Sequence, residues 1–182
     1  EANPFQLKYR NDEIKKSWAE LADVEVIALF SWAEIRMPIR KVDEQLRIAT
    51  LATAAQPYNK EANARYYIEN APEALDLAGE WYLDRKKGVL SYWPLRDEDM
   101  SQVEVIAPIA TRLVHFQGEP AAGKFVSRVV LHGITFQDAD WNLGPNGYAD
   151  AQAAVEIGGV VKLDGAVDCA LELCPISHVE GY

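Results

Sequence analysis

The 182-residue sequence predicts an all-β protein, with a small antiparallel sheet, sandwich or barrel in its first half and a parallel β-solenoid starting in its second. Three observations carry this. Apolar, β-branched runs recur about every ten residues near the N-terminus, the spacing of hairpin-linked strands. The stretch "EWYLDRKKGVLSYWP" (80–94) sets two aromatic runs on either side of a polar turn that ends in Gly88, which reads as a β-hairpin. Finally, "VSRVVLHGITFQDAD" (126–140) aligns with "AVDCALELCPISHVE" (166–180) at a shift of 40, apolar on apolar and polar on polar. Such a repeat of very short strands buries its apolar side only by stacking each copy on the next. Two copies leave an antiparallel sandwich open as the alternative.

The elements follow in chain order. "VEVIALFSW" (24–32) is apolar and β-branched. In 35–43, Ile35, Met37 and Ile39 alternate with Arg36 and Arg40, and Pro38 predicts an edge strand because it cannot donate to a ladder. "EQLRIATLAT" (44–53) is a third strand, and 52–64 a loop or linker. "NAPEALDLAG" (70–79) reads as one or two helical turns with Asn70 as N-cap and Gly79 as the stop. In the hairpin, strands 81–83 and 89–93 flank a basic tip that reads as a solvated turn. A looser match sets 112–118 against 160–165 at a shift of 47, so the loops of the two copies differ by about seven residues. Between the copies, 141–158 is expected to be a loop thrown out from the first.

Composition narrows the function. A net charge of −10, with 28 acidic and 18 basic residues, argues against nucleic acid, which needs a clustered basic surface. No apolar run is long enough to span a bilayer. Cys169 and Cys174 read as core positions of the repeat rather than a disulfide or metal site. No metal-ligand spacing, phosphate loop or nucleophile elbow appears, so neither metal nor cofactor is expected. His115 and His132 read as polar ladder positions. Both termini have the look of cuts within a longer protein.

"RYYIENAPEALDLAGEWYLDRKKGVLSYWP" (65–94), "VVLHGITFQDADW" and the C-terminal stretch ending "HVEGY" resemble carbohydrate-active proteins of the right-handed parallel β-helix class. The resemblance is to glycoside hydrolase family 141. It implies a β-rich insertion domain over 1–108, ending in the hairpin 80–94, and over 109–182 the first resumed turns of a β-helix that continues beyond the chain. It implies an oligo- or polysaccharide of plant type as partner, besides the remainder of the β-helix. It also implies a secreted or periplasmic location, and catalytic acids mostly outside this piece. One departure stands out: relatives commonly read His-x-Gly-Gly-Tyr where this chain has His178-Val179-Glu180-Gly181-Tyr182.

Glycoside hydrolysis needs two carboxyl groups, about 5 Å apart for retention and roughly 6.5–9.5 Å for inversion. Neighbouring strands lie about 4.8 Å apart, so acids on adjacent turns of a solenoid meet this. The shift of 40 aligns Asp140 with Glu180 and Asp138 with His178, the candidate catalytic residues. The same residues serve as turn caps. Trp141 and Tyr148 flank "NLGPNG" and are the candidate substrate-binding aromatics, a sugar ring taking an exposed indole face. The hairpin tryptophans Trp81 and Trp93 are expected to pack between domains. A non-catalytic carbohydrate-binding or structural module is the alternative to a hydrolase, and a polysaccharide lyase of the same fold ranks after both.

Overall fold

The computed structural model describes residues 3–54, 61 and 63–179. It is all-β, with no α-helix among the described residues. The chain divides into two compact units, Glu1–Val103 with Leu143–Ala154, and Glu104–Asn142 with Val155–Tyr182.

The first unit is built on a five-stranded antiparallel sheet. Its strands are β1 (Gln6–Lys8), β2 (Glu25–Leu29), β3 (Glu34–Asp43), β4 (Ile48–Leu51) and β5 (Arg65–Glu69), in the order β1-β4-β3-β2-β5. Alternation puts Val26 and Ala28 of β2, Ile35, Met37 and Ile39 of β3, and Ala49 and Leu51 of β4 into one buried cluster with Tyr9 and Ile14. Each fully buried Ile, Val or Met contributes about 1.5–3 kcal/mol. The opposite face mixes the fully buried Ile27 with charged residues. Arg36 sits there between Glu34 and Glu69, at 3.0 and 2.8 Å. Glu25 is buried on the same face and accepts from the Asn70 amide at 2.9 Å. Burial pushes the Glu25 carboxyl up, and Arg36 partly offsets this.

Pro38 lies in the middle of the sheet rather than on an edge strand. The reason is that β3 is shared between two ladders. Residues 34–38 pair with β2, and the pairing with β4 runs from Ile39 onward with a register shift before Lys41. Pro38 sits at the handover, where its carbonyl still accepts from Ala52 N–H at 2.8 Å.

The stretch expected to be a loop thrown out from the first repeat carries no strand or helix, and its part Leu143–Ala154 belongs to this unit. Arg36 and Tyr148 form an antiparallel bridge, with N–H···O distances of 2.8 and 2.6 Å. The Arg40 guanidinium donates to the Pro145 carbonyl, and Ala153 N–H donates to Trp32 O at 2.6 Å. Gly147 makes this possible. Its φ is +75°, and a Cβ there would collide with the Arg36 carbonyl and the Pro38 ring.

The helical turn expected over 70–79 is a single 3-10 turn, Pro72–Ala74. Asn70 does not cap it: its φ is +58° and its amide is committed to Glu25. The hairpin forms as β6 (Trp81–Asp84) and β7 (Val89–Tyr92), with Trp81 opposite Tyr92 and Leu83 opposite Leu90. At its tip Lys87 pairs with Asp84 at 2.8 Å and Lys86 with Glu20.

Among the described residues the second unit has eight short strands. The first pass runs through β8 (Val114–Gln117), β9 (Val126–Ser127), β10 (Val130–His132) and β11 (Phe136–Ala139). The second runs through β12 (Val161–Asp164), β13 (Ala166–Val167), β14 (Ala170–Glu172) and β15 (Ile176–Val179). Each strand pairs in parallel with its counterpart. Leu131 lies beside Leu171 and Phe136 beside Ile176, a shift of 40; Val114 lies beside Val161, a shift of 47. The seven extra residues form the corner after β8, which contains the 3-10 turn Pro120–Ala122, whereas Gly165 alone joins β12 to β13. Left-handed residues recur every fifth position in both passes, at Arg128, Gly133 and Asp138 and again at Asp168, Leu173 and His178. The cysteines are free thiols, each close to a first-pass carbonyl, Cys169 to Val126 at 3.5 Å and Cys174 to Leu131 at 3.4 Å.

Candidate functional site

Two polar groupings in the second unit and one aromatic face in the first hold the chemistry. In the second unit the 40-residue register sets Asp138 level with His178. Both adopt left-handed φ, +60° and +51°, between the ladder pairs Gln137↔Ser177 and Ala139↔Val179. The two side chains come together, with His178 Nδ1 3.6 Å from Asp138 Oδ1 and the imidazole 79% exposed. That is ion-pair range for an imidazolium and too long for a hydrogen bond. Asp140 closes β11, its N–H donating to Ala110 O at 2.9 Å. Glu180, its counterpart in the repeat, lies outside the described residues.

Trp141 and Tyr148 fall in different units. Trp141 is half-buried. The Tyr148 hydroxyl donates to Asp150 Oδ2 at 2.5 Å, and Asp150 is itself buried, with Oδ1 accepting from Ala151 N–H at 2.9 Å. Tyr148 is thus built into the segment that bridges to Arg36.

A second polar grouping lies on β8 and β12. His115 is a ladder position, and its Nε2 is 2.8 Å from Asp164 Oδ2. Lys162 Nζ reaches the same oxygen at 2.8 Å. These two contacts, that from Lys162 the stronger, hold the Asp164 carboxyl below its ordinary value. The signal was present in the sequence: the shift of 47 sets His115 against Lys162, and alternation puts Asp164 on the same face.

The hairpin reverses an expectation. Trp81 and Trp93 are 63% and 47% exposed, while Tyr82, between Trp81 and Leu83, is buried at 8%. The face bearing Trp81, Leu83 and Leu90 is therefore turned to solvent. Tyr92 lies at its edge, its hydroxyl donating to Glu98 at 2.5 Å. Flat apolar rings with polar groups at the rim are suited to a ligand that is apolar on its faces and hydroxylated at its edges.

Among the described residues no three His, Cys, Asp or Glu are grouped to hold a metal ion, and no helix is long and apolar enough to cross a membrane. No family model matches the chain, and no curated protein matches it. A solved structure described as a glycoside hydrolase is similar over 71% of this chain, with a TM-score of 0.57 and 24% identity. A glycoside hydrolase shares this fold. The chain spans 24% of the length of that structure, so the likeness concerns architecture.

Proposed function

We propose that this chain is part of a carbohydrate-active protein, a glycoside hydrolase acting on plant-type polysaccharide. The observation that carries the reading is the fold shared with a glycoside hydrolase over 71% of the chain. In this reading residues 1–108 are an insertion domain and 109–182 the first turns of a right-handed parallel β-helix, as in the family 141 proteins that the sequence resembles. The protein acts outside the cytoplasm, in the periplasm or after secretion. Two passes in parallel register support that architecture, since stacked passes bring acids to about 4.8 Å spacing. Asp140 and Glu180 are the candidate carboxyl pair, with Asp138 and His178 beside them, and Trp141 and Tyr148 the candidate sugar contacts. Most of the catalytic groups lie beyond this chain, which by itself is inactive.

The test is release of reducing sugar from xylan and from fucosylated pectin by the purified chain and by a longer protein that contains it. The longer protein is expected to release sugar and the chain alone none. Release by the chain alone, lost in Asp140→Ala, would place a complete catalytic pair here. A second reading, a non-catalytic carbohydrate-binding module, is favoured by the exposure of Trp81 and Trp93. It predicts retention on insoluble xylan or pectin with no hydrolysis by either protein.

A further inference from the structure

The outer face of β8 and β12 has a composition that the candidate residues above do not use. Phe116 is buried on one side, and His115, Gln117, Lys162 and Asp164 share the other. Asp164 Oδ2 accepts from both Lys162 and His115, which holds an ammonium and an imidazole against one carboxylate. An ionised carboxylate only accepts, so His115 Nε2 is the donor in this contact. At the end of β8, Gln117 is also part of the wall of a shallow pocket of about 130 Å³, with Glu119, Lys124 and Phe125. Lys124 pairs with Glu119 at 3.0 Å, and the Phe125 ring is 51% exposed.

The Lys162–Asp164 pair is thus joined, through the ladder partner Gln117, to a pocket whose wall holds the Lys124–Glu119 pair and the exposed Phe125. Exposed ion pairs of this kind contribute little to stability, so the fold does not require them. They match a sugar. Each hydroxyl both donates and accepts, so a vicinal pair is met by an adjacent donor and acceptor, most strongly when these are charged. A pyranose ring also offers an apolar face for an aromatic side chain.

We propose that this face is an oligosaccharide subsite. Lys162 and Asp164 read one pair of adjacent hydroxyls, Lys124 and Glu119 a second, and Phe125 stacks on the ring between. His115 is a positioning residue that fixes the Asp164 carboxylate. The inference rests on the carbohydrate reading above and adds a site to it.

The experiment is an amide and indole NMR titration of the chain with xylohexaose and, separately, with an oligogalacturonide. With at least one probe, signals of Gln117, Phe125 and Asp164 should move. Phe125→Ala and Asp164→Asn should each weaken that binding by about tenfold, the loss expected for a charge-assisted or stacking contact. Phe125 is exposed, so its variant keeps the fold, and unchanged dispersion of the remaining amides checks both. Loss of the His115 Nε2–H signal in Asp164→Asn reports the positioning role. Movement confined to the Trp81 and Trp93 indoles, unaltered in both variants, overturns the subsite and leaves the carbohydrate reading standing. No movement with either saccharide overturns the subsite, while sugar release by the longer protein tests the carbohydrate reading separately.

Discussion

Glu25 is a carboxyl whose surroundings oppose its charge. It is buried on the sheet face that also carries Arg36 and Ile27, and burial raises its pKa above the ordinary 4.5. A carboxyl raised in the folded state supplies stability below its unfolded pKa and loses it as pH climbs through the folded value. Urea unfolding across about pH 4–7 should therefore show the native protein losing stability relative to Glu25→Gln, which keeps an oxygen for the Asn70 amide. A constant difference between the two across that range would refute the argument. Glu25 was legible only as a polar residue in an apolar strand. Its burial depends on Asn70 and Glu69, 45 and 44 positions away, and no local pattern reports such a partner.

Among the elements, the hairpin and the segment around Gly147 make the sharpest predictions. The strands of the hairpin were legible because alternation and turn chemistry act locally. Which face it buries was not, since both faces carry an aromatic residue and the choice depends on what lies beneath. Tyr82→Ala should cost about 3 kcal/mol, the usual loss for a large buried aromatic, whereas Trp81→Ala should change stability by less than about 1 kcal/mol. Equal losses in chemical denaturation would mean that the tryptophan is packed. The bridge between Arg36 and Tyr148 joins residues 112 apart, with no periodicity to announce it. Gly147→Ala would set a left-handed alanine against the Arg36 carbonyl. It should cost about 2 kcal/mol or release the segment, visible as faster amide exchange at Tyr148 and Arg36.

At the scale of the whole molecule, the parallel passes were the most legible feature. Stacking demands that like sit on like, so the register is written in the sequence as a shift, and the pairs Leu131↔Leu171 and Phe136↔Ile176 follow it. The candidate acids were less legible, because alignment fixes a level on the stack and not a distance between carboxyl groups. Among the described residues each strand from β8 to β15 pairs on one side only, which leaves open parallel edges. Such edges template further pairing. Sedimentation velocity of the isolated chain should show association that grows with concentration and falls in Val130→Lys, an exposed position on β10. A monomer at every concentration would count against it.

The corner after β8 has a different kind of consequence. One pass turns there through eight residues and the other through a single glycine, yet the strands on either side keep register. The frame is therefore indifferent to what is spliced in at that bend. A lineage could exchange 119–125 for another segment, and an engineer could graft one, changing what the surface recognises while the rest of the chain folds as before.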